Sequence, residues 1–388
     1  MQIQLPQADG SVKTLSLKAR PIAPAGAPRP FDRVVYAAAH VVVDPLATPD
    51  PWDASPAVDW EATLAFRDHL YRLGFKVAEA MDTAQRGMGV DWPVARELIQ
   101  RSLRHARTAG GEAACGVGTD QLEPAATVTL AQVEAAYREQ LEVVEGEGGR
   151  AIVMASRALA RAARGPDDYV ALYGRLLRDA AQPVVLHWLG PMFDAQLDGY
   201  WGSRDIPAAM ETVLQLIERN ADKVDGIKVS LLDARWEVAL RHRLPGGVRM
   251  YTGDDFNYAE LIEGDAQGFS HALLGIFDAI APVAACALRE LADGNVARYR
   301  ALLDPTVALS RELFRAPTRH YKAGVVFLAW LNGHQRHFSM AGGLQSARGI
   351  AHYARVFELA DDCGALADPE LACARMRRLL AVSCGLDA

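Results

Sequence analysis

A single lysine in the middle of a short apolar segment is the residue of this chain with the most informative chemistry. Lys228 lies in Asp225-Gly226-Ile227-Lys228-Val229-Ser230, a run typical of a buried strand. An unpaired buried ammonium is very costly, so such a lysine is expected to have a lowered pKa. A neutral amine condenses with carbonyl compounds to form a Schiff base. The segment therefore indicates carbonyl chemistry, unless the lysine lies at a strand end and reaches solvent.

Eight short apolar runs, each followed by an amphipathic segment, would position this lysine. The predicted strands are residues 34–39, 76–80, 113–117, 151–154, 183–187, 226–229, 248–252 and 269–274. The predicted helices between them are residues 60–73, 92–108, 130–147, 166–180, 206–220, 234–243 and 258–264. Eight strand–helix units predict an α/β fold, a (β/α)8 TIM barrel, with a doubly wound open sheet as the competing fold. No Gly-x-Gly-x-x-Gly or Walker-type loop indicates nucleotide binding, and no cofactor is expected.

An N-terminal extension and a C-terminal helical region flank the segments that predict the barrel. Residues 1–32 are interpreted as an N-terminal extension with a small hairpin at residues 3–5 and 12–17, and residues 33–282 as the barrel. Strand patterns stop near residue 280. Residues 283–388 are interpreted as a C-terminal helical layer packed on the barrel, with helices at 281–293, 296–303, 306–315, 320–332, 347–363 and 369–383.

Composition excludes several classes of function. The net charge is -7 and no basic cluster suggests nucleic-acid binding. The five cysteines contain no Cys-x-x-Cys pair, which argues against a zinc site or a disulfide framework and favours a reduced, cytoplasmic location. The first residues do not have the pattern of a signal peptide. No uninterrupted apolar run reaches the roughly 18 residues of a membrane span.

Polar side chains are frequent near the predicted strand ends, where the active sites of such barrels lie. A Schiff-base enzyme needs an amine, a proton shuttle and donors that hold substrate oxygen atoms. Lys228 is the expected amine and His187 the expected general acid and base. The candidates for substrate binding are Asp82, Thr83, Arg157, Asp254 and Ser270. Asp255 is better explained as a turn and helix-cap residue, a position that aspartate favours.

A metal site is the second chemical option at these strand ends. His40, Glu79, Asp82 and His187 offer nitrogen and oxygen ligands that would suit a divalent cation. Because no local spacing such as His-x-x-x-His supports a metal site, the lysine interpretation ranks above it and no metal is predicted.

Four segments resemble, in order, those of the dihydrodipicolinate synthase / N-acetylneuraminate lyase superfamily of class I aldolases. Gly226-Ile227-Lys228 resembles its Schiff-base strand and residues 250–255 its seventh-strand turn. Residues 268–282 resemble the eighth strand with the start of the C-terminal helices, and residues 321–324 a Lys-x-x-Leu/Gly stretch. The resemblance spans residues 30–360 and implies a small carbonyl substrate, Lys228 as Schiff-base residue and a homo-oligomer, dimer or tetramer. The N-terminal arm and an insertion at residues 52–60 indicate a divergent branch.

Substrate recognition departs from that family. Its Gly-Thr-Thr-Gly-Glu loop aligns with Asp82-Thr83-Ala84-Gln85-Arg86, where only Thr83 remains. Its strand-5 tyrosine aligns with His187, and its strand-4 Pro-Tyr-Tyr with Ala155-Ser156-Arg157. An imidazole, with an ordinary pKa of about 6.5, can do the proton work of the tyrosine. Asp82 would repel a substrate carboxylate unless Arg86 or Arg157 compensates.

These observations predict a class I aldolase, lyase or dehydratase that acts through Lys228 on a 2-oxo acid or a keto-sugar derivative. Two alternatives stay open. One is a metal-dependent lyase or isomerase on the same barrel, in which Lys228 is a base or a charge clamp. The other is a barrel without catalytic activity that binds a sugar acid or a partner.

Overall fold

The structure, a computed structural model, describes residues 1–24, 29–48, 50–52, 55–123 and 127–387. At its N-terminus β1 (Gln2–Pro6) and β2 (Val12–Ser16) form the antiparallel hairpin that the sequence predicted. Ile3 and Leu5 are buried in the hydrophobic cluster that contains the C-terminal helices, and Lys13 pairs with Glu358 at 2.7 Å. The hairpin therefore packs against the C-terminal helical layer. Residues 25–28 of the arm and 53–54 of the 52–60 insertion lie outside the described residues.

Eight parallel strands close into a barrel, which confirms the predicted fold. They are β3 (Val35–Ala38), β4 (Lys76–Glu79), β5 (Ala113–Val117), β6 (Arg150–Val153), β7 (Val184–Leu189), β8 (Val224–Ser230), β9 (Arg249–Thr252) and β10 (His271–Leu274). Each strand pairs with its sequence neighbours, and β10 closes the ring against β3. A closed ring leaves no sheet edge unpaired.

Helices connect the strands and cover the barrel from outside. They are α1 (Trp60–Leu73), α2 (Trp92–Ala109), α3 (Leu130–Gly146), α4 (Arg157–Ala162), α5 (Pro166–Asp179), α6 (Ile206–Arg219), α7 (Ala234–Arg241) and α8 (Tyr258–Glu263). Local signals set several of their ends. The Asp59 carboxylate accepts the Ala62 N–H at the start of α1, and Gly74 ends that helix with a φ of 100°.

Five helices form the C-terminal layer: α9 (Ile276–Ala292), α10 (Val296–Leu313), α11 (Tyr321–Leu331), α12 (Ile350–Asp362) and α13 (Pro369–Cys384). The prediction of two helices at 296–303 and 306–315 was wrong, because α10 continues through Pro305. The hydroxyl of Thr306, the residue after the proline, donates to the Leu303 carbonyl at 2.6 Å within the same helix. Helix α9 starts before the predicted residue 281 and is kinked at Ile280, two residues before Pro282.

An apolar cluster fills the barrel interior. It ends below the carboxyl rim, which is the end of the barrel formed by the C-terminal ends of the strands. Its buried members are Tyr36, Ala38, Ala78, Met81, Ala114, Ile152, Val185, Tyr251 and Leu273. Because alternate residues of a strand share one face, His187 points to the same side of β7 as Val185. Lys228 is the register partner of His187 on β8. Both side chains therefore enter the barrel above the apolar cluster.

Two further features of the chain bear on its environment. None of the helices in the described ranges is both long and apolar enough to cross a bilayer. All five cysteines fall within these ranges, and each has a free thiol.

Candidate active site

Lys228 lies at the centre of the candidate site. Its side chain is 8% exposed, and none of the described residues forms a hydrogen bond or an ion pair with its Nζ. Burial lowers the pKa of this amine, and the negative charges of Asp255 and Asp82 oppose the shift only in part. The amine is therefore more easily deprotonated than a surface lysine and is held ready for nucleophilic attack.

A small cavity of ≈ 290 Å³ surrounds the end of the Lys228 side chain. Groups from separate parts of the chain line it, among them Asp82 and Thr83 after β4, Asp255 after β9 and Tyr321 on α11. The hydroxyl groups of Tyr321 and Thr83 share a hydrogen bond of 2.8 Å. The cavity thus combines an amine, two carboxyl groups and a phenol within the closed rim of the barrel.

Gly253 makes room for the lysine. A Cβ atom at this position would lie 2.2 Å from Ser230 Oγ and 2.7 Å from Lys228 Cε, far below ordinary contact distance. Only glycine therefore allows the strand end of β9 to approach the lysine this closely. The need for space beside Lys228 therefore explains this glycine, for which the sequence indicated only a turn.

His187 lies beside the lysine and faces a second, larger cavity of ≈ 880 Å³. Its Nε2 is 3.3 Å from Ser230 Oγ, while its buried Nδ1 has no hydrogen-bond partner among the described residues. Burial lowers the pKa of the imidazole well below 6.5, and the charge of Lys228 lowers it further. A neutral imidazole can accept a proton. Asp82 and Leu189 line both cavities, so the two adjoin.

Asp255 belongs to the site as well as to the turn. Its Oδ1 accepts the Ile276 N–H at 3.0 Å, which is the structural role that the sequence indicated. Burial also raises the pKa of its carboxyl group to about 7, against the opposing effect of Lys228. The interpretation of Asp255 as a turn residue alone was therefore incomplete.

Unusual backbone conformations fix the loop that carries Asp82 and Thr83. Ala80 and Gln85, which flank it, have φ values of 51° and 63° in the left-handed region. The Gln85 side chain donates to the Ala341 carbonyl at 2.9 Å and accepts the N–H of the same residue at 3.3 Å. Such strained residues persist where the surrounding structure holds them, and they concentrate at functional sites.

The two arginines that could have compensated the negative charge of Asp82 form ion pairs with other carboxylates. Arg86 pairs with Asp120 at 2.6 Å and donates to the Gly116 carbonyl at 2.5 Å. Arg157 pairs with Asp194. Both arginines line the larger cavity, but neither brings an unbalanced positive charge to the cavity around the lysine.

Comparison with known proteins places the chain in a family. A family model described as a protein of unknown function (DUF993) matches residues 3–385. The chain belongs to the DUF993 family. No curated protein matches it significantly.

Solved structures share the fold of this DUF993 chain. A putative dihydrodipicolinate synthetase from Pseudomonas aeruginosa has 16% identity and a TM-score of 0.59, with 83% of this chain and 99% of that chain covered. YagE, an E. coli K12 prophage protein of the dihydrodipicolinic acid synthase family solved with pyruvate, has 12% identity and a TM-score of 0.63 over 90% and 98% of the two chains. A dihydrodipicolinate synthase family protein from Coccidioides immitis has 15% identity and a TM-score of 0.55 over 93% and 98%. The DUF993 chain thus has the fold of these proteins.

Two of the candidate residues lie away from the lysine in the DUF993 chain. Ser270 precedes β10, at the amino-terminal end of the strand, and donates to the buried Glu237 carboxyl group at 2.7 Å. Asp254 accepts the N–H groups of Phe256 and Asn257 at 2.8 and 3.1 Å and lines neither cavity. Ser270 therefore stabilises packing at the amino-terminal end of the barrel, and Asp254 stabilises the turn after β9.

His40 and Glu79 of the metal hypothesis are paired within the protein. His40 Nδ1 is 2.8 Å from Asp278 Oδ2, and Glu79 receives both Nε and Nη2 of Arg67 at 2.9 Å. In the described parts of the chain, no group of three or more His, Cys, Asp or Glu side chains is arranged to hold a metal ion. The four proposed ligands therefore do not converge on one point.

Lys322 is a second buried amine that sequence reasoning missed. It is 3% exposed, donates to the Arg319 carbonyl at 3.1 Å and lies 4.7 Å from the centre of the Tyr321 ring. Burial lowers its pKa to about 8, while the charge of Asp82 opposes the shift. Asp82 therefore lies within electrostatic reach of both lysines. The only sequence signal for Lys322 was the resemblance of residues 321–324 to a family motif.

The Ser270–Glu237 contact leads to a prediction about stability and pH. Burial raises the pKa of Glu237 to about 8, whereas an unfolded glutamate titrates near 4.3. Between these values the unfolded chain has lost the proton and the folded chain has kept it, so this group's contribution to stability falls as pH rises. We expect Glu237→Gln to gain stability over the wild type by about 1.4 kcal/mol per pH unit in that window. Urea unfolding of both proteins across the window tests this, and parallel pH profiles would contradict it.

Proposed function

We propose that this protein is a class I lyase, aldolase or dehydratase that forms a Schiff base through Lys228 with a 2-oxo acid or a keto-sugar derivative. The observation that carries the proposal is the amine itself, which is buried, unpaired among the described residues and open to a cavity at the carboxyl rim. The E. coli protein with this fold was solved with pyruvate, a 2-oxo acid. That likeness adds support to a carbonyl substrate.

The chemistry follows from the groups around the amine. The Nζ lone pair attacks the carbonyl carbon to give a carbinolamine, and loss of water leaves an iminium ion. The iminium accepts the electron pair of a neighbouring C–C or C–H bond as that bond breaks, which gives an enamine. A neutral His187 takes the proton of a substrate hydroxyl group, and the Tyr321–Thr83 pair is the second proton route at the cavity wall.

Reductive trapping tests the proposal. The protein is incubated with pyruvate or dihydroxyacetone, treated with borohydride and weighed intact by mass spectrometry. We expect a stable gain equal to the carbonyl compound minus one oxygen atom, formed with one molecule per chain. A panel of oxo acids and sugars that gives no gain in mass would refute it. Ligand-induced melting shifts without adducts would instead support a barrel that only binds its ligand.

A replacement of His187 separates proton transfer from Schiff-base formation. For a substrate identified by trapping, we expect His187→Asn to lower turnover by about 10²–10⁴-fold, the usual contribution of a general acid or base. The borohydride adduct should persist, because the lysine is unchanged. Tyr321→Phe is the matched control for the second proton route. If Tyr321→Phe abolishes turnover and His187→Asn does not, the assignment of the shuttle to His187 is wrong.

A further inference from the structure

The cavity around Lys228 already contains carboxyl groups of its own. Asp82 and Asp255 both line it, and the charges of both act on the lysine. Lys322 is buried nearby and is also influenced by Asp82. When Lys228 is an iminium ion, Lys322 is an ammonium ion and Asp255 is ionised, two positive charges balance the two carboxylates. A substrate without charge leaves this balance intact.

A 2-oxo acid would disturb the balance. Its carboxylate is bonded directly to the carbon that becomes the iminium carbon, so it would enter the same ≈ 290 Å³ cavity. Interactions between charges are strong in such a site because the surrounding dielectric is low. Of the described residues, three arginines line the larger cavity and none of them lines the cavity around the lysine. Arg86 and Arg157 are paired with Asp120 and Asp194, and Arg161 donates to a side-chain amide oxygen.

Neutral hydrogen-bonding groups also line the larger cavity, where the rest of a substrate would lie. Thr119 and Ser156 share a hydrogen bond of 2.6 Å in the wall of the larger cavity. The imidazole of His187 lines the same cavity. Hydroxyl groups of a sugar can donate to and accept from all three side chains.

We infer that the substrate is an uncharged ketone of the keto-sugar class, with no carboxylate next to its carbonyl carbon, and that Asp82 excludes 2-oxo acids. The inference rests on the proposed Schiff-base function and narrows its substrate. Asp82 is the specificity-determining residue because it lines both cavities and lies in electrostatic reach of both lysines. Discrimination by a repulsive charge is a common device of specificity.

The test compares two small carbonyl probes. Wild-type protein and Asp82→Asn are each incubated with dihydroxyacetone or pyruvate at equal concentration, reduced with borohydride and weighed intact. We expect the wild type to be labelled by dihydroxyacetone at least about tenfold faster than by pyruvate, a ratio that corresponds to about 1.4 kcal/mol. In Asp82→Asn, labelling by pyruvate should rise by at least about tenfold relative to labelling of the same variant by dihydroxyacetone.

Controls keep the outcomes separate. Asp222→Asn removes an exposed carboxylate far from the rim and should label like the wild type. Equal labelling of the wild type by both probes would overturn this inference and leave the Schiff-base function standing. Rejection of pyruvate by both the wild type and a folded Asp82→Asn would overturn the role of Asp82, and Asp82→Ser repeats that test with a smaller side chain. Absence of labelling by every carbonyl compound would refute the proposed function itself.

Discussion

Lys228→Met is expected to abolish the borohydride adduct completely, whichever carbonyl compound labels the wild type. Methionine has nearly the same length as lysine, so the cavity stays filled while the nucleophile is lost. The replacement also removes a buried amine that has no partner among the described residues. We therefore expect the free energy of unfolding to stay equal or to rise, because a buried, unpaired polar group is costly. Intact mass and urea unfolding of the same preparation measure both effects.

Lys223→Met is the matched control for this prediction. Lys223 lies just before β8, and its Nζ donates to the Ala180 carbonyl at 2.9 Å on the outside of the barrel. The variant loses a lysine from the same segment and should keep the full adduct. An adduct that persists in Lys228→Met would mean that another amine reacts, and the proposed mechanism would fail.

Arg67→Met is expected to cost about 3–5 kcal/mol of unfolding free energy, the usual effect of removing one partner of a buried ion pair. Arg67 and Glu79 have no exposed side-chain surface and share two hydrogen bonds of 2.9 Å. Arg67 also donates to the carbonyls of His40 and Thr63, at 2.6 and 3.0 Å. Its loss leaves a buried carboxylate at the end of β4, just before the loop that carries Asp82. Urea unfolding provides the measurement.

Arg243→Met provides the comparison at the surface. Arg243 and Glu211 form a pair with the same two-point geometry, at 2.6 and 2.7 Å, but their side chains are 47% and 63% exposed. Exposed ion pairs contribute only about 0–1 kcal/mol. If the two variants lose equal stability, burial does not determine the strength of the Arg67–Glu79 pair.

The barrel was predictable from the sequence because each element has its own local pattern. Residues 60–73 have the apolar spacing of a helix, with Asp59 before it and Gly74 after it, and the structure has α1 at the same bounds. The strands were equally clear because the barrel interior admits mainly apolar side chains. Pro305 misled the prediction of α10, since local rules end a helix at proline and do not include the tertiary contacts that carry this one through.

The site was predictable only in part, because its members come from distant segments. Lys228 stood out as a charge within an apolar strand, and the register of β7 and β8 places His187 beside it. Tyr321 and Lys322 lie on a helix of the C-terminal layer, and no local pattern reveals that α11 reaches the rim. The structure does not bring Ser270 to the lysine, because it begins its strand and only the other end of a barrel strand faces the site. The cytoplasmic location and the homo-oligomer stay predictions.

The position of the label on the chain tests the central claim most directly, because two buried lysines with lowered pKa values lie near this rim. After reduction with borohydride, the protein is digested and the labelled peptide is sequenced by mass spectrometry. We predict that the label lies on Lys228 and on no other residue. A label on Lys322, or one spread over surface lysines, would contradict the assignment of the reactive amine.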